Sequence, residues 1–112
     1  MTDCLFCKIA AGEIPTDMVA SDDRFVAFRD IAAQAPTHVV VIPRAHVASL
    51  NEVEDPALVG GLMLFAKGIA KREGLDGPGY RVVINTNADG GQTVFHIHAH
   101  VLGGRILGWP PG

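Results

Sequence analysis

The chain has 112 residues, 48% of them hydrophobic, which is enough for one compact core and too little for a second domain. Nine Lys and Arg against twelve Asp and Glu leave a formal charge of −3 with no block of like sign, which argues against a nucleic-acid polymer as partner. No apolar run approaches membrane-spanning length, and Met1-Thr2-Asp3-Cys4 lacks the basic start and apolar stretch of a secretory signal, so a cytoplasmic protein without membrane contact is expected.

Cys4 to Ala11 reads as a short helix stopped at Gly12, with Glu13-Ile14-Pro15 as its exit. Met18–Ala20 and Phe25–Arg29 flank the polar turn Ser21-Asp22-Asp23-Arg24 and predict a β-hairpin. After an irregular connection, Thr37 to Ile42 is β-branched, ends at Pro43 and is apolar on both faces, as a central strand should be. Asp55-Pro56 supplies an N-cap and a first-turn proline, and Leu58, Leu62, Phe65 and Ile69 follow at helical spacing. This long helix should close at Gly74, after Lys71 and Arg72. Tyr80 to Asn85 is a fourth strand, and a glycine-bearing loop, Asn87 to Gln92, leads into His96-Ile97-His98-Ala99-His100-Val101-Leu102, the fifth. Short connections between these elements predict an α+β fold in one domain, residues 1–112. It should contain a five-stranded antiparallel sheet, one long helix on a face and a short N-terminal helix.

The fifth strand carries three of the five histidines. A period of two places His96, His98 and His100 on one face, ~7 Å apart along the backbone, with Ile97, Ala99 and Val101 on the other. Such a row can hold zinc through a His-x-His pair, offer a nucleophile or base, or form a solvated polar face. Just upstream, Asp89-Gly90-Gly91-Gln92-Thr93 reads either as a plain strand connection or as a nest of backbone N–H groups for an anion. Beside three histidines and Asn85, the anion reading points to a phosphate.

The row His96-Ile97-His98-Ala99-His100-Val101-Leu102 matches the histidine-triad motif, with a histidine at every second position and apolar residues between and after. The match extends over Ile31 to His38, Val41-Ile42-Pro43-Arg44-Ala45-His46, Asp89-Gly90-Gly91-Gln92 and Gly108-Trp109-Pro110-Pro111-Gly112. Over essentially its whole length the chain resembles the histidine triad (HIT) nucleotide-binding proteins, the Hint branch of that superfamily, in the bacterial form with Cys-x2-Cys. The resemblance implies a HIT-like homodimer that binds purine nucleoside monophosphates and hydrolyses adenosine 5′-phosphoramidate-type substrates. Within the superfamily a dinucleoside polyphosphate hydrolase is the alternative enzyme; a nucleotide-binding regulator with incidental catalysis is the alternative outside enzymology.

By position the resemblance makes His98 the nucleophile that carries the nucleotide, its other ring N–H held by a backbone carbonyl. His100 assists on the leaving-group side, and His38 joins a relay. Thr93 stands where many relatives carry serine and, with Asn85, Gly91 and Gln92, matches phosphate-proximal positions. Phe6, Ile9, Phe28 and Ile31 would frame the base and Asp30 the ribose; read on their own, the four apolar residues are plain core. Trp109 would dock across the dimer interface near the partner's site, approached over the smooth part of the long helix at Val59, Gly60, Gly61 and Met63. The only two cysteines, Cys4 and Cys7, close too small a loop for a useful disulfide. They are either free thiols or, with His46 and His96 as in bacterial relatives, ligands of a structural zinc with no open coordination position. Catalysis itself requires no cofactor in this scheme.

Overall fold

The computed structural model describes residues 3–112, so the amino-terminal reading at Met1 and Thr2 lies outside the described residues. Helix α1 spans Leu5–Ala10, and strands β1 (Met18–Ser21), β2 (Phe25–Arg29) and β3 (Thr37–Pro43) follow. A 3-10 turn at Leu50–Glu52 precedes helix α2 (Pro56–Arg72), and then come β4 (Tyr80–Val83), a four-residue helical turn α3 (Asn87–Gly90) and β5 (Ala99–Gly103). The five strands form one antiparallel sheet in the order β1-β2-β3-β5-β4. As its composition requires, β3 is central.

Local chemistry explains the boundaries. The Cys4 side chain accepts the Cys7 N–H at the start of α1, and Gly12 ends the helix at a positive φ that glycine adopts without strain. Asp22 accepts the N–H groups of Arg24 and Phe25, each at 2.8 Å, and so closes the first hairpin. The Asp55 carboxylate caps α2 through Ala57 N–H at 2.9 Å. No helix among the described residues is long and apolar enough to cross a membrane.

Pleating divides the core in two. Val39, Val41, Ile97, Ala99 and Val101 face α2, where Leu62, Ala66, Ile69 and Ala70 are buried; each large side chain there contributes ~1.5–3 kcal/mol by leaving water. Val40, Ile42, Val26 and Phe28 face the other way and are covered by Phe6 and Ile9 of α1. Because α1 is so short, this second face is only partly roofed. The site lies in what it leaves open.

Four expectations change. β4 stops at Val83, two residues before Asn85. The histidine row does not form one continuous strand: β5 begins at Ala99, because the His96 carbonyl is turned toward the His98 ring and Ile97 N–H donates to Val47 O at 2.7 Å. The glycine loop is a helical turn whose Gly91 and Gln92 N–H groups are taken by Ala88 O and Asn87 O, so those two groups form no anion nest. Gly61 faces inward: a Cβ there would meet the Phe25 ring at 2.8 Å, so it does not contribute to a smooth outer surface.

Candidate active site

The sheet face beneath α1 opens into a cleft of about 460 Å³. Phe6, Ile9, Phe28, Asp30, Ile31, Thr93, His98 and His100 all line it, although they come from α1, β2 and the turn after it, the segment entering β5, and β5 itself. Phe6 is the organiser. Its ring meets Phe28 edge-on at 5.5 Å and His98 at 5.0 Å between centroids, which builds an apolar slot against an imidazole. Leu5, Ile14, Val40 and Val94 also line the cleft and were not singled out from the sequence. The four-residue spacing of Leu5 and Ile9 is the signal that pairs Leu5 with the slot.

Backbone partners fix the tautomers of His38, His96 and His98, and His38 in turn fixes that of His100. The Nδ1 of His98 lies 2.7 Å from His96 O; a carbonyl only accepts, so Nδ1 carries the proton and Nε2 keeps its lone pair. At His96 the roles reverse. Its Nε2–H donates to Pro43 O at 2.7 Å, which leaves Nδ1 as the free donor atom for a cation.

His38 belongs to a longer chain. Gln34 N–H donates to His38 Nδ1 at 3.0 Å, so the neutral ring carries its proton on Nε2, 2.9 Å from His100 Nδ1. His100 therefore holds its own proton on Nε2. Nothing in the Gln34 side chain announces this role, because only its backbone amide acts. Asp30 Oδ1 accepts Ala32 N–H at 2.8 Å, while Oδ2 lies 3.3 Å from His38 Nε2 and 4.0 Å from His100 Nδ1.

Burial dominates the protonation of this group. It pushes His100 down to about 4, helped by His98 and His38 and opposed by Asp30. Burial likewise lowers His38, against Asp30, and lowers His98, against its bond to the His96 carbonyl. The resting site thus holds neutral imidazoles with assigned tautomers.

Other expected residues stand apart. Asn85 follows β4, and Gly91 (φ +85°) caps α3; neither lines the cleft. The Gln92 side chain is buried and fully engaged. Its Oε1 accepts Asn87 N–H, and its amide donates to Ala48 O and Val94 O, so it braces the loop before the histidines and offers nothing to a ligand. Trp109 is 82% exposed on the surface, with the Arg81 guanidinium 5.9 Å from its ring, and does not line the cleft of its own chain.

A second cluster lies behind His96. Cys4 Sγ and Cys7 Sγ lie 3.3 and 3.5 Å from His96 Nδ1, and His46 Nδ1 lies 3.2 Å from His96 Nδ1 and 3.3 Å from Cys7 Sγ. Hydrogen bonding does not account for this convergence, since His96 Nδ1 is unprotonated and accepts at most one strong bond. Bonds of ~2.0–2.3 Å to a tetrahedral cation imply ligand separations of ~3.3–3.8 Å, which these spacings approach. Burial, then the adjacent Cys4 thiol, raise the Cys7 thiol, a penalty that a bound cation removes. The four residues fit a potential metal site.

The HIT domain family profile matches residues 11–107. A purine nucleoside phosphoramidase of Escherichia coli is 47% identical over 108 residues, covering 95% of this chain and 91% of the relative. A crystal structure of a HIT family hydrolase from Legionella pneumophila superposes with a TM-score of 0.95 at 53% identity, over 98% of this chain and all of the other. A zinc-bound histidine triad family protein from Mycobacterium smegmatis gives a TM-score of 0.83 at 36% identity, covering 92% and 76% of the two chains.

Proposed function

The chain belongs to the HIT domain family, and on that premise we propose that it is a purine nucleoside phosphoramidase, hydrolysing the P–N bond of AMP-type phosphoramidates through a nucleotidyl-histidine intermediate. One observation carries the reading: His98 Nδ1–H is tied to the His96 carbonyl in a residue that lines the cleft, so its reactive lone pair is on Nε2. His98 Nε2 attacks phosphorus, the amine leaves, and water then releases the nucleotide. The His100 ring, 5.0 Å from that of His98 between centroids, stabilises charge on the phosphoryl oxygens or the departing nitrogen through its Nε2–H, with His38 behind it.

Phe6, Ile9, Phe28 and Ile31 form the slot for a flat base, Asp30 takes the ribose hydroxyls, and Thr93, which also lines the cleft, offers its hydroxyl to the phosphate. Gly91 and Gln92 shape the loop ahead of the histidines, and with Asn85 they match the phosphate-proximal positions of the family. Cys4, Cys7, His46 and His96 hold a structural zinc, which when bound supplies a rigid tie between α1 and the sheet. Residues 1–112 act as one HIT domain in the cytoplasm, without membrane or nucleic-acid polymer. The functional unit is a homodimer, in which exposed Met63, Leu64, Ile106 and Trp109 are covered by a second copy. Incubation with adenosine 5′-phosphoramidate tests the reading. AMP and ammonia should appear with a burst of acid-labile, histidine-linked nucleotide, whereas binding of AMP without turnover would overturn it.

A further inference from the structure

The His38–His100 pair has a proton shortage that its own geometry exposes. With Gln34 N–H on His38 Nδ1 and His38 Nε2–H on His100 Nδ1, the neutral pair can donate a hydrogen bond from His100 Nε2 but cannot release that proton without leaving an imidazolate. Proton donation therefore needs a second proton, which the neutral resting pair does not hold and takes up from solvent before the first step. Gln34 N–H blocks His38 Nδ1, so the proton must enter at His100 Nδ1, which deprives His38 Nε2–H of its acceptor. The Asp30 Oδ2, 3.3 Å from His38 Nε2, is the acceptor that remains.

Few other charges face the pair. Asp30 enters from the end of β2, His98 from the segment ahead of β5, and Val83 of β4, paired with His100, brings none. The neighbouring Arg29 is turned to Glu73, and Arg105 holds Gln34 O from the far side of the loop. Among the described residues Asp30 is the one carboxylate within 4.0 Å of either ring. The same three side chains could be taken for a cation site. However, a metal on His38 Nε2 would force a proton onto Nδ1, against Gln34 N–H.

We propose that Asp30 is the counter-ion of the His38–His100 pair, a positioning residue that lets His100 hold the proton it delivers to the leaving amine, beyond any contact with the sugar. The proposal rests on the phosphoramidase reading for the identity of the proton's recipient. In the first step the His98 Nε2 lone pair forms the bond to phosphorus, and the P–N bond breaks with its electrons going to the amine nitrogen. The His100 Nε2 proton joins that nitrogen, leaving its bonding pair on His100. In the second step the water oxygen attacks phosphorus and the bond to His98 breaks with its pair returning to Nε2. One water proton recharges His100 Nε2, the other staying on the phosphate side, and the doubly protonated ring is restored with Asp30 facing it.

Asp30→Asn tests this, because it keeps the size of the side chain and the oxygen that accepts Ala32 N–H. Imidazole titrations followed by NMR on histidine-labelled protein should show His100 lowered by about one pH unit or more relative to the wild type, and Asp30→Glu should recover part of the difference. With adenosine 5′-phosphoramidate and its 2′,3′-dideoxy analogue, kcat of the Asn variant should fall about tenfold on both substrates, with the acid-requiring limb of the pH profile moved to lower pH. An unchanged His100 titration, or a loss confined to KM on the ribose-bearing substrate, would overturn the counter-ion role. A wild-type chain with no turnover on either substrate would instead overturn the phosphoramidase reading, and the titrations would still decide the counter-ion.

Discussion

The carbonyl oxygen of His96 accepts the Nδ1–H of His98 at 2.7 Å, while the ring of the same His96 points its Nδ1 at Cys4, Cys7 and His46. One residue thus orients the proposed nucleophile with its backbone and belongs to the potential metal site with its side chain. Two centres share one peptide unit.

Replacing His98 by Ala should lower kcat/KM on adenosine 5′-phosphoramidate by ~10⁴-fold or more, since the covalent step has no other unprotonated imidazole nitrogen with this orientation. The histidine-linked nucleotide should vanish with it. Steady-state kinetics and acid-quench labelling read the two effects, and normal turnover would exclude the covalent route.

Purified under mild conditions, the protein should contain about one zinc per chain, and a strong chelator should lower Tm. Cys7→Ala should abolish both the metal and the response to chelator. Elemental analysis with thermal melts provides the check; metal-free protein with an unaltered Tm would leave the four side chains as thiols and imidazoles.

Stability should decline with acid from about pH 6.5 downward. His38 and His100 have folded values below the ordinary 6.5, so between pH 6.5 and about 4 the unfolded chain binds more protons than the folded one. Their contribution is complete above pH 6.5 and is lost as pH falls through this window, up to about 3 kcal/mol for His100 alone. Urea titrations at pH 7 and pH 4.5 should show the loss, and His100→Gln should flatten it.

Gln92→Ala should destabilise the fold by ~2–3 kcal/mol, because it strips partners from Asn87 N–H, Ala48 O and Val94 O at a buried position. Denaturant midpoints measure the change. If the residue is scaffold, AMP affinity measured well below the melting temperature should change by less than tenfold.

Two glycines of α2 should respond in opposite directions. Alanine at Gly68 meets open space and should stabilise by up to ~1 kcal/mol through helix propensity. At Gly61 the new methyl meets the Phe25 ring, itself packed on Phe65 at 5.7 Å, and overpacking of ~1–3 kcal/mol should outweigh that gain. Thermal melts should rank Gly68→Ala above wild type and Gly61→Ala below it.

Periodicity and capping in the sequence were sufficient for α1, the first hairpin, central β3 and capped α2, because each rests on neighbours within a few residues: Gly12, Asp22, Pro43, Asp55. The motif also marked out the chemistry-bearing side chains, and the structure brings Phe6, Phe28, Asp30, Thr93, His98 and His100 to one cleft. Three matters depended on atoms far apart in the chain. The histidine row breaks before Ala99 because Val47 and the His98 ring claim its backbone. Gly61 turns inward because Phe25 fills the space beside it. The proton positions on four rings are set by Gln34 N–H, Pro43 O, His96 O and the contact of His38 with His100. Side-chain identity is local and can be read along the chain, but a tautomer depends on whichever donor or acceptor the fold sets opposite each nitrogen. The resemblance already assigns His96, His98 and His100 different parts, but only the tertiary structure decides which ring nitrogen of each carries the proton and which keeps its lone pair.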